Sequence, residues 1–192
     1  MMYFGDGQPF AGALDVVAHE LTHGITSYTA NLVYQDQSGA LNEAFSDIFG
    51  EAVEARTTGK ADWKMGTNLS DTIRLISNPS SLEIISGSGR YYPSKMSRFY
   101  ARGDSLLSKL ENQDYGGVHI NTTIVSHAFY LLAEGMSGAI GIQDAENFNF
   151  GALTYHLVSN SQFIDARLAC ITSAEELFGK RLESGGKNSF GI

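Results

Sequence analysis

The segment His19-Glu20-Leu21-Thr22-His23 constrains the fold of this chain more than any other feature, because its two histidines can act together only on a helix. Apolar residues recur around it with helical spacing, which predicts a helix over residues 14–28. Rings at positions i and i+4 project from one helix face, so both can reach one cation. The same five letters also occur by chance in ordinary helices, where the two histidines would only share a half-buried face.

Composition and charge exclude several classes of protein. The 192 residues carry a net charge of −8 without a cluster of Lys and Arg, which argues against a nucleic-acid partner. No apolar run approaches the roughly 18–20 residues that cross a bilayer, so no membrane span is expected. Residues 1–7 lack the basic and apolar regions of a signal peptide. Cys170 is the only cysteine, so a bound metal rather than a disulfide is the expected source of extra stability.

The remainder of the chain is predicted to be mainly α-helical. Further helices are predicted at about residues 40–57, 118–134, 144–158 and 163–178. The periodicity fades between residues 60 and 117, where Gly, Ser and Asn collect, and this predicts a long irregular stretch of the kind that often carries function. The polar, Gly-rich tail from Gly179 onward is predicted to lack regular structure.

A third metal ligand decides which class of site the two histidines belong to. The pattern H-E-x-x-H-x-x-G-x-x-H would need Gly and His where this chain has Thr26 and Thr29, so that class is excluded. Glu43 instead offers a carboxylate on the second predicted helix. Asp47, one helical turn later, is well placed to accept the second N–H of His19. Two His and one Glu leave the fourth position of a zinc site open for water.

Three motifs in the same order resemble the thermolysin family of zinc metalloendopeptidases. They lie within residues 15–26, 34–48 and 114–121, and the likeness covers most of residues 2–178. The resemblance implies that residues 1–29 are the end of an N-terminal catalytic lobe with its zinc helix. It implies that residues 30–192 form a mostly α-helical C-terminal metallopeptidase domain. Most of the β-rich N-terminal lobe of relatives is then expected to be absent from this chain.

The resemblance also assigns roles around one catalytic zinc ion. The expected zinc ligands are His19, His23 and Glu43. Glu20 is expected to take a proton from a zinc-bound water that attacks the peptide carbonyl, without a covalent intermediate. His119, held by Asp114, and Tyr34 are expected to donate hydrogen bonds to the oxyanion. Arg74 is expected to bind the substrate carbonyl next to the scissile bond.

Without the resemblance, the residues alone favour less specific interpretations of these last positions. His119 would be a loop histidine with a nearby acid, Tyr34 a core residue and Arg74 a surface charge.

A second group of acidic residues predicts a calcium site. Its members are Asp15, Glu51, Glu54 and Asp62. Four carboxylates brought together would repel one another unless a hard cation joined them, and oxygen-rich sites of this kind suit Ca²⁺. The alternative is a solvated acidic face, which is the commoner fate of such residues. The family resemblance favours one structural calcium ion.

The expected function is therefore that of a zinc-dependent endopeptidase that cleaves before bulky apolar residues. Two alternatives stay open: a non-catalytic metal-binding fragment without a complete substrate cleft, and an exopeptidase with the same metal chemistry. The expected partners are peptide or protein substrates, the missing β-rich lobe and an inhibitory prosegment of a longer precursor. Extracellular secretion is expected from the family alone.

Overall fold

Five α-helices make up about half of the structure, a computed structural model that describes residues 7–185. They are α1 (Leu14–Tyr28), α2 (Asp36–Thr58), α3 (Asp114–Tyr130), α4 (Ile142–Gly151) and α5 (Phe163–Gly185). One small antiparallel sheet joins β1 (Lys64–Met65) to β2 (Arg74–Leu75), with Lys64 opposite Leu75 and Met65 opposite Arg74. This architecture confirms the prediction of a mainly α fold. None of the described helices is long and apolar enough to cross a membrane.

Several helix boundaries differ from those predicted. α3 spans Asp114–Tyr130 rather than 118–134, and α4 spans Ile142–Gly151 rather than 144–158. α2 begins at Asp36 rather than near residue 40, although Ser38-Gly39 resembles a loop, because both residues are buried there against neighbouring elements. The unstructured tail predicted from Gly179 is wrong up to Gly185, since α5 continues to that residue. Good helix formers such as Leu182 and Glu183 follow Gly179 and favour this extension. Residues 186–192 of the predicted tail lie outside the described residues.

α2 is the central helix and packs against both α1 and α3. Two of its glycines allow the close approach. A Cβ on Gly50 would lie 2.8 Å from the carbonyl oxygen of Asp15 in α1, and one on Gly39 would lie 2.5 Å from a methyl group of Val118 in α3. Side chains larger than hydrogen would push these helices apart. The three helices therefore hold a fixed spacing, which sets the distances between the functional groups they carry.

The irregular stretch between α2 and α3 is anchored by buried contacts. Trp63 lies in the main core, and its indole Nε1 donates to Glu134 at 2.9 Å. A second apolar cluster joins Tyr100, Leu106 and Leu107 to Ile120 of α3. Fixed in this way, a segment with little regular structure can still present side chains in defined positions.

Candidate functional site

Three side chains that could bind a metal, His19, His23 and Glu43, converge where α1 crosses α2. The Nε2 atoms of His19 and His23 lie 3.1 Å apart. Each lies 3.4 Å from a carboxylate oxygen of Glu43. Tetrahedral coordination with bonds of about 2.0–2.1 Å separates neighbouring ligand atoms by about 3.3 Å. The spacing of these three groups thus fits a single zinc ion.

The other nitrogen of each ring lies next to an acceptor oxygen. His19 Nδ1 is 3.0 Å from Asp47 Oδ1, and His23 Nδ1 is 2.8 Å from Asn42 Oδ1. Acceptors in these places favour a proton on Nδ1 and leave the lone pair of each Nε2 free. Two lone pairs facing each other at this distance repel unless a cation lies between them. This arrangement is the strongest structural indication of a metal centre.

Asn42 is a site residue that the sequence reasoning missed. Its side chain is buried, and its amide nitrogen donates to the carbonyl oxygen of Leu32 at 3.3 Å, which orients the amide oxygen toward His23. The sequence offered one sign of this role, the position of Asn42 directly before Glu43. A residue next to a proposed ligand on α2 can reach the ring of His23 on α1.

The electrostatics of the centre favour positive charge. Burial opposes a charge on His19, but the carboxylates of Asp47 and Glu43 outweigh it and raise the pKa of this ring to about 9. Burial likewise opposes ionisation of Glu43, yet the two histidines hold its pKa well below the usual range. Glu43 Oε2 is also buried without a hydrogen-bond partner among the described residues. A divalent cation would satisfy all three groups.

The interpretations of Arg74 and Tyr34 from the residues alone were wrong. Arg74 is only 5% exposed, and its guanidinium binds Asp47 through two contacts of 2.9 and 2.6 Å. Tyr34 is 37% exposed and donates a hydrogen bond to Glu43. Its hydroxyl also lies 3.0 Å from Nε2 of His119. Both side chains line the same cleft as the metal ligands.

His119 is placed by an unusual backbone segment. Residues 112–117 all have positive φ, between 49° and 89°, and only the last two are glycines. Each non-glycine residue in this conformation costs about 1–2 kcal/mol, so the surrounding structure must enforce it. The segment brings Asp114 back onto the start of the regular part of α3. There Asp114 accepts from the backbone N–H of His119 at 3.0 Å and lies 2.5 Å from its Nδ1.

The cleft around these groups has a volume of about 630 Å³. Glu20 lines it beside His19 and His23, and part of its wall is apolar, with Val16, Leu32 and Ile73 among the lining residues. The cleft therefore combines a candidate metal-binding group, a carboxylate, two hydrogen-bonding groups and a surface for apolar side chains.

Three of the four predicted calcium residues come together, and the fourth, Asp15, lies close enough to act on Glu51 and Glu54 electrostatically. One carboxylate oxygen from each of Glu51, Glu54 and Asp62 lies within 4.8 Å of the other two. Asp15 approaches from α1, where its Oδ2 accepts from the backbone of Gly66 at 2.5 Å.

Several oxygens of this acidic cluster lack partners. Asp15 Oδ1, Glu51 Oε1 and Glu54 Oε2 are buried without a hydrogen bond among the described residues. Burial, together with the neighbouring acids, raises the pKa of Glu51 to about 9. It also raises the pKa of Asp15 and of Glu54. Buried carboxylates without donors fit a hard divalent cation such as Ca²⁺, which takes oxygen ligands.

Comparison with known families gave two adjoining matches. The model described as "Thermolysin metallopeptidase, alpha-helical domain" matches residues 30–187. The model described as "Thermolysin metallopeptidase, catalytic domain" matches residues 1–27.

Individual relatives agree with these matches. A thermostable neutral protease of Geobacillus stearothermophilus is 38% identical over 190 residues, which cover 91% of this chain and 32% of that protein. The neutral protease NprE of Bacillus pumilus is 36% identical, with 93% of this chain and 55% of that protein covered. Among solved structures, the precursor of protealysin, a metalloproteinase from Serratia proteamaculans, matches with a TM-score of 0.74 and 30% identity over 88% of this chain and 53% of that one. The chain thus spans about a third of the length of the first of these relatives.

Proposed function

Because the chain belongs to the thermolysin family of metallopeptidases, we propose that it carries the metal centre and helical domain of a zinc-dependent endopeptidase. The observation that supports this most is the convergence of two histidines and one glutamate: the two Nε2 atoms lie 3.1 Å apart, and each lies 3.4 Å from one of the two carboxylate oxygens of Glu43. His19, His23 and Glu43 would hold the zinc ion. When bound, zinc supplies a Lewis acid that polarises a peptide carbonyl and makes water a stronger acid.

Glu20 is the proposed general base. It lies one residue after His19 on α1 and lines the cleft, so its carboxylate can face a substrate without being used as a ligand. It would take a proton from the attacking water and pass it to the leaving amine.

Tyr34 and His119 are the proposed donors to the oxyanion that forms when water attacks. Burial and the nearby Glu43 carboxylate raise the pKa of Tyr34, so its hydroxyl keeps the proton it must donate. Burial opposes a charge on His119, but Asp114 and Glu43 outweigh it and raise its pKa. Donors already in place before the reaction stabilise the developing charge without reorganisation.

Arg74 and the apolar wall would determine how the substrate lies. Asp47 holds the guanidinium of Arg74 in one orientation inside the cleft, which suits a donor to a substrate carbonyl. The preference for bulky apolar residues after the cleaved bond comes from the family, and the apolar wall of the cleft supports it.

The rest of the proposal concerns the ions and partners of the full enzyme. Asp15, Glu51, Glu54 and Asp62 would bind one structural calcium ion. Secretion, an inhibitory prosegment and a β-rich lobe on the other side of the cleft are proposed from the family. α1 exposes Leu21 (57%) and Tyr28 (94%), which supports a covering lobe on that face. The alternative is a metal-binding fragment without catalysis. It is supported by the length of the chain, which covers only 32% of the Geobacillus stearothermophilus relative.

The Glu20→Gln variant tests the proposed reaction. It should retain zinc, measured by elemental analysis, and lose peptide hydrolysis by about 10²–10⁴-fold, because the proton acceptor is gone. Glu175→Gln is the matched control, since Glu175 is an exposed residue of α5 outside the cleft.

The outcomes separate the alternatives. Chelator-sensitive hydrolysis by the unmodified 192-residue chain, lost in Glu20→Gln, supports the endopeptidase, and mapping the products separates internal from terminal cleavage. Zinc binding without hydrolysis in the unmodified chain would favour the non-catalytic fragment. Near-normal turnover by Glu20→Gln would contradict the assigned mechanism.

A further inference from the structure

A depression of about 360 Å³ lies on the irregular segment between α2 and α3, outside the metal cleft. We call it the basic depression; its walls include Ser80, Arg90, Tyr91, Lys95, Arg98 and Tyr100. Three of these six side chains are cationic, in a chain that has 21 Asp and Glu against 13 Lys and Arg. A local excess of positive charge in an acidic protein attracts anions to that surface.

Two carboxylates of the same segment, those of Asp104 and Glu83, already have partners. Asp104 binds the guanidinium of Arg90 at 2.8 and 3.0 Å. Glu83 accepts backbone N–H groups of Gly87 and Gly89 at 2.7 and 2.8 Å. These contacts order the loop but leave the other two cations of the depression without neutralising charge.

Lys95 and Arg98 are the available cations. Both are exposed, and neither has a carboxylate within ion-pair distance in the part of the chain that the structure describes. They lie three residues apart around the short helical turn Met96–Arg98, so both can contact one ligand.

The wall beside these two cations is rigid and carries further polar groups. The guanidinium of Arg90 stacks on the ring of Tyr100, 4.9 Å from its centroid, and Tyr100 donates to the carbonyl oxygen of Tyr91 at 2.9 Å. The hydroxyls of Ser80 and Ser94 lie 3.2 Å apart at the same depression. A preformed wall reduces the ordering that a ligand must impose when it binds.

The basic depression is connected to the metal cleft through Tyr92. The side chain of Tyr92 lines both the depression and a neighbouring cavity of about 390 Å³. His119 and Asp114 also line that cavity, and His119 lines the metal cleft as well. A polypeptide that lies in the cleft and continues past His119 along these shared lining residues would approach Lys95 and Arg98.

We propose that the basic depression binds Asp or Glu side chains of a polypeptide substrate, at positions several residues away from the cleaved bond. The planar guanidinium of Arg98 matches a carboxylate with two hydrogen bonds, and the ammonium of Lys95 adds a second charge contact. The inference rests on the proposed function, because the substrate is taken to be a peptide that occupies the cleft.

Peptide binding to the zinc-loaded full chain tests the inference in the Glu20→Gln background, where the peptide persists. Two probes carry a neutral fluorophore and the same apolar centre, flanked on both sides by three Asp in one and three Asn in the other. Fluorescence anisotropy should give about fivefold tighter binding of the Asp probe at low salt, as expected for two exposed charge contacts. The difference should shrink as ionic strength rises.

The Lys95→Gln/Arg98→Gln double variant should lose this preference and bind both probes alike. Lys109→Gln/Arg167→Gln is the matched control, because it removes the same charge from exposed positions outside the depression and should keep the preference. Free succinate at the same carboxylate concentration should compete poorly with the Asp probe.

Three results would overturn the inference: equal binding of both probes by the starting chain, a preference that survives in the double variant, or displacement of the Asp probe by succinate at equal concentration. The last would assign the depression to small anions. No cleavage is measured in this experiment, so failure of the proposed hydrolysis and failure of the acidic-peptide site remain distinguishable.

Discussion

At the scale of single residues, the groups just outside the metal ligands decide which ring nitrogens can bind a cation. Asp47 and Asn42 lie next to Nδ1 of His19 and of His23, and Asp47 is held in turn by Arg74. Buried acceptors of this kind fix both the orientation and the tautomer of a ring. The donor set therefore depends on residues that would not bind the metal themselves.

Replacing Asn42 by Ala should weaken zinc binding by about 10–100-fold, because His23 loses the acceptor that orients it. Competition with a coloured chelator measures the affinity, and a thermal melt checks that the variant is folded. Asn160→Ala, at an exposed position after α4, is the control and should keep the affinity of the unmodified chain. Unchanged zinc affinity in folded Asn42→Ala would contradict the assigned role.

Cys170 should react slowly with alkylating reagents despite its partial exposure. Burial raises the pKa of its thiol to about 12, so the folded chain has little reactive thiolate at neutral pH. The rate with iodoacetamide should still rise about tenfold per pH unit between about pH 7 and about pH 9. In urea, where the thiol regains an ordinary pKa, the rate should level off near pH 8.5. A plateau near that pH in the folded chain would contradict the burial of the thiol.

At the scale of elements, helix spacing sets the geometry of the site. α1 supplies two of the proposed zinc ligands and α2 the third, while α3 supplies His119. The glycines of α2 at its two crossings keep these helices close enough for the side chains to meet. A small change in spacing would alter several of the distances within the centre together.

Gly39→Ala should destabilise the chain by about 1–3 kcal/mol, measured by urea unfolding. The new Cβ would lie 2.5 Å from Val118 and 2.9 Å from the backbone of Tyr34, so α3 or the Tyr34 segment must move. Gly24→Ala is the matched control in α1, where a Cβ meets nothing within 4 Å. That substitution should stabilise the chain by about 0.5–1 kcal/mol, because Ala favours a helix over Gly. Equal effects at both positions would contradict the packing argument.

At the scale of the whole molecule, buried acidic groups make stability depend on cations. The acidic cluster links α1, α2 and the segment that follows α2, and it contains buried carboxylate oxygens without donors. The described part of the chain has no disulfide to hold these elements together. A cation would replace repulsion among them by attraction.

Calcium at about 100 times its dissociation constant should raise the melting temperature by about 5–10 °C. Glu51→Gln should have opposite effects in the two conditions. In chelator the variant should be more stable than the unmodified chain, because repulsion among the carboxylates is relieved. In calcium it should be less stable, because a ligand is lost. Glu175→Gln, the control, should change the stability little in either chelator or calcium. A melting temperature that does not respond to calcium would rule out the proposed site.

Local patterns predicted the fold class and pointed to the proposed zinc ligands, since helical periodicity and the spacing of His19, His23 and Glu43 are properties of neighbouring residues in the sequence. The same patterns failed for Arg74, because its burial depends on a partner in another element, Asp47. They also gave no sign of the left-handed backbone at residues 112–117, which only tertiary contacts can enforce. Asn42 was missed for the same reason, because its role follows from the distance between two helices.

The crossing of α1 and α2 has one further consequence. Asp15 and His19 are one turn apart on α1, and Glu43 and Glu51 are about two turns apart on α2, so the two proposed cation sites bridge the same pair of helices at neighbouring points. An ion that fixes the crossing at one point would reduce the entropy lost when the second ion binds. Thermodynamic reciprocity then requires calcium to strengthen zinc binding by the same factor by which zinc strengthens calcium binding. The helix pair would thus make one metal an effector of the other.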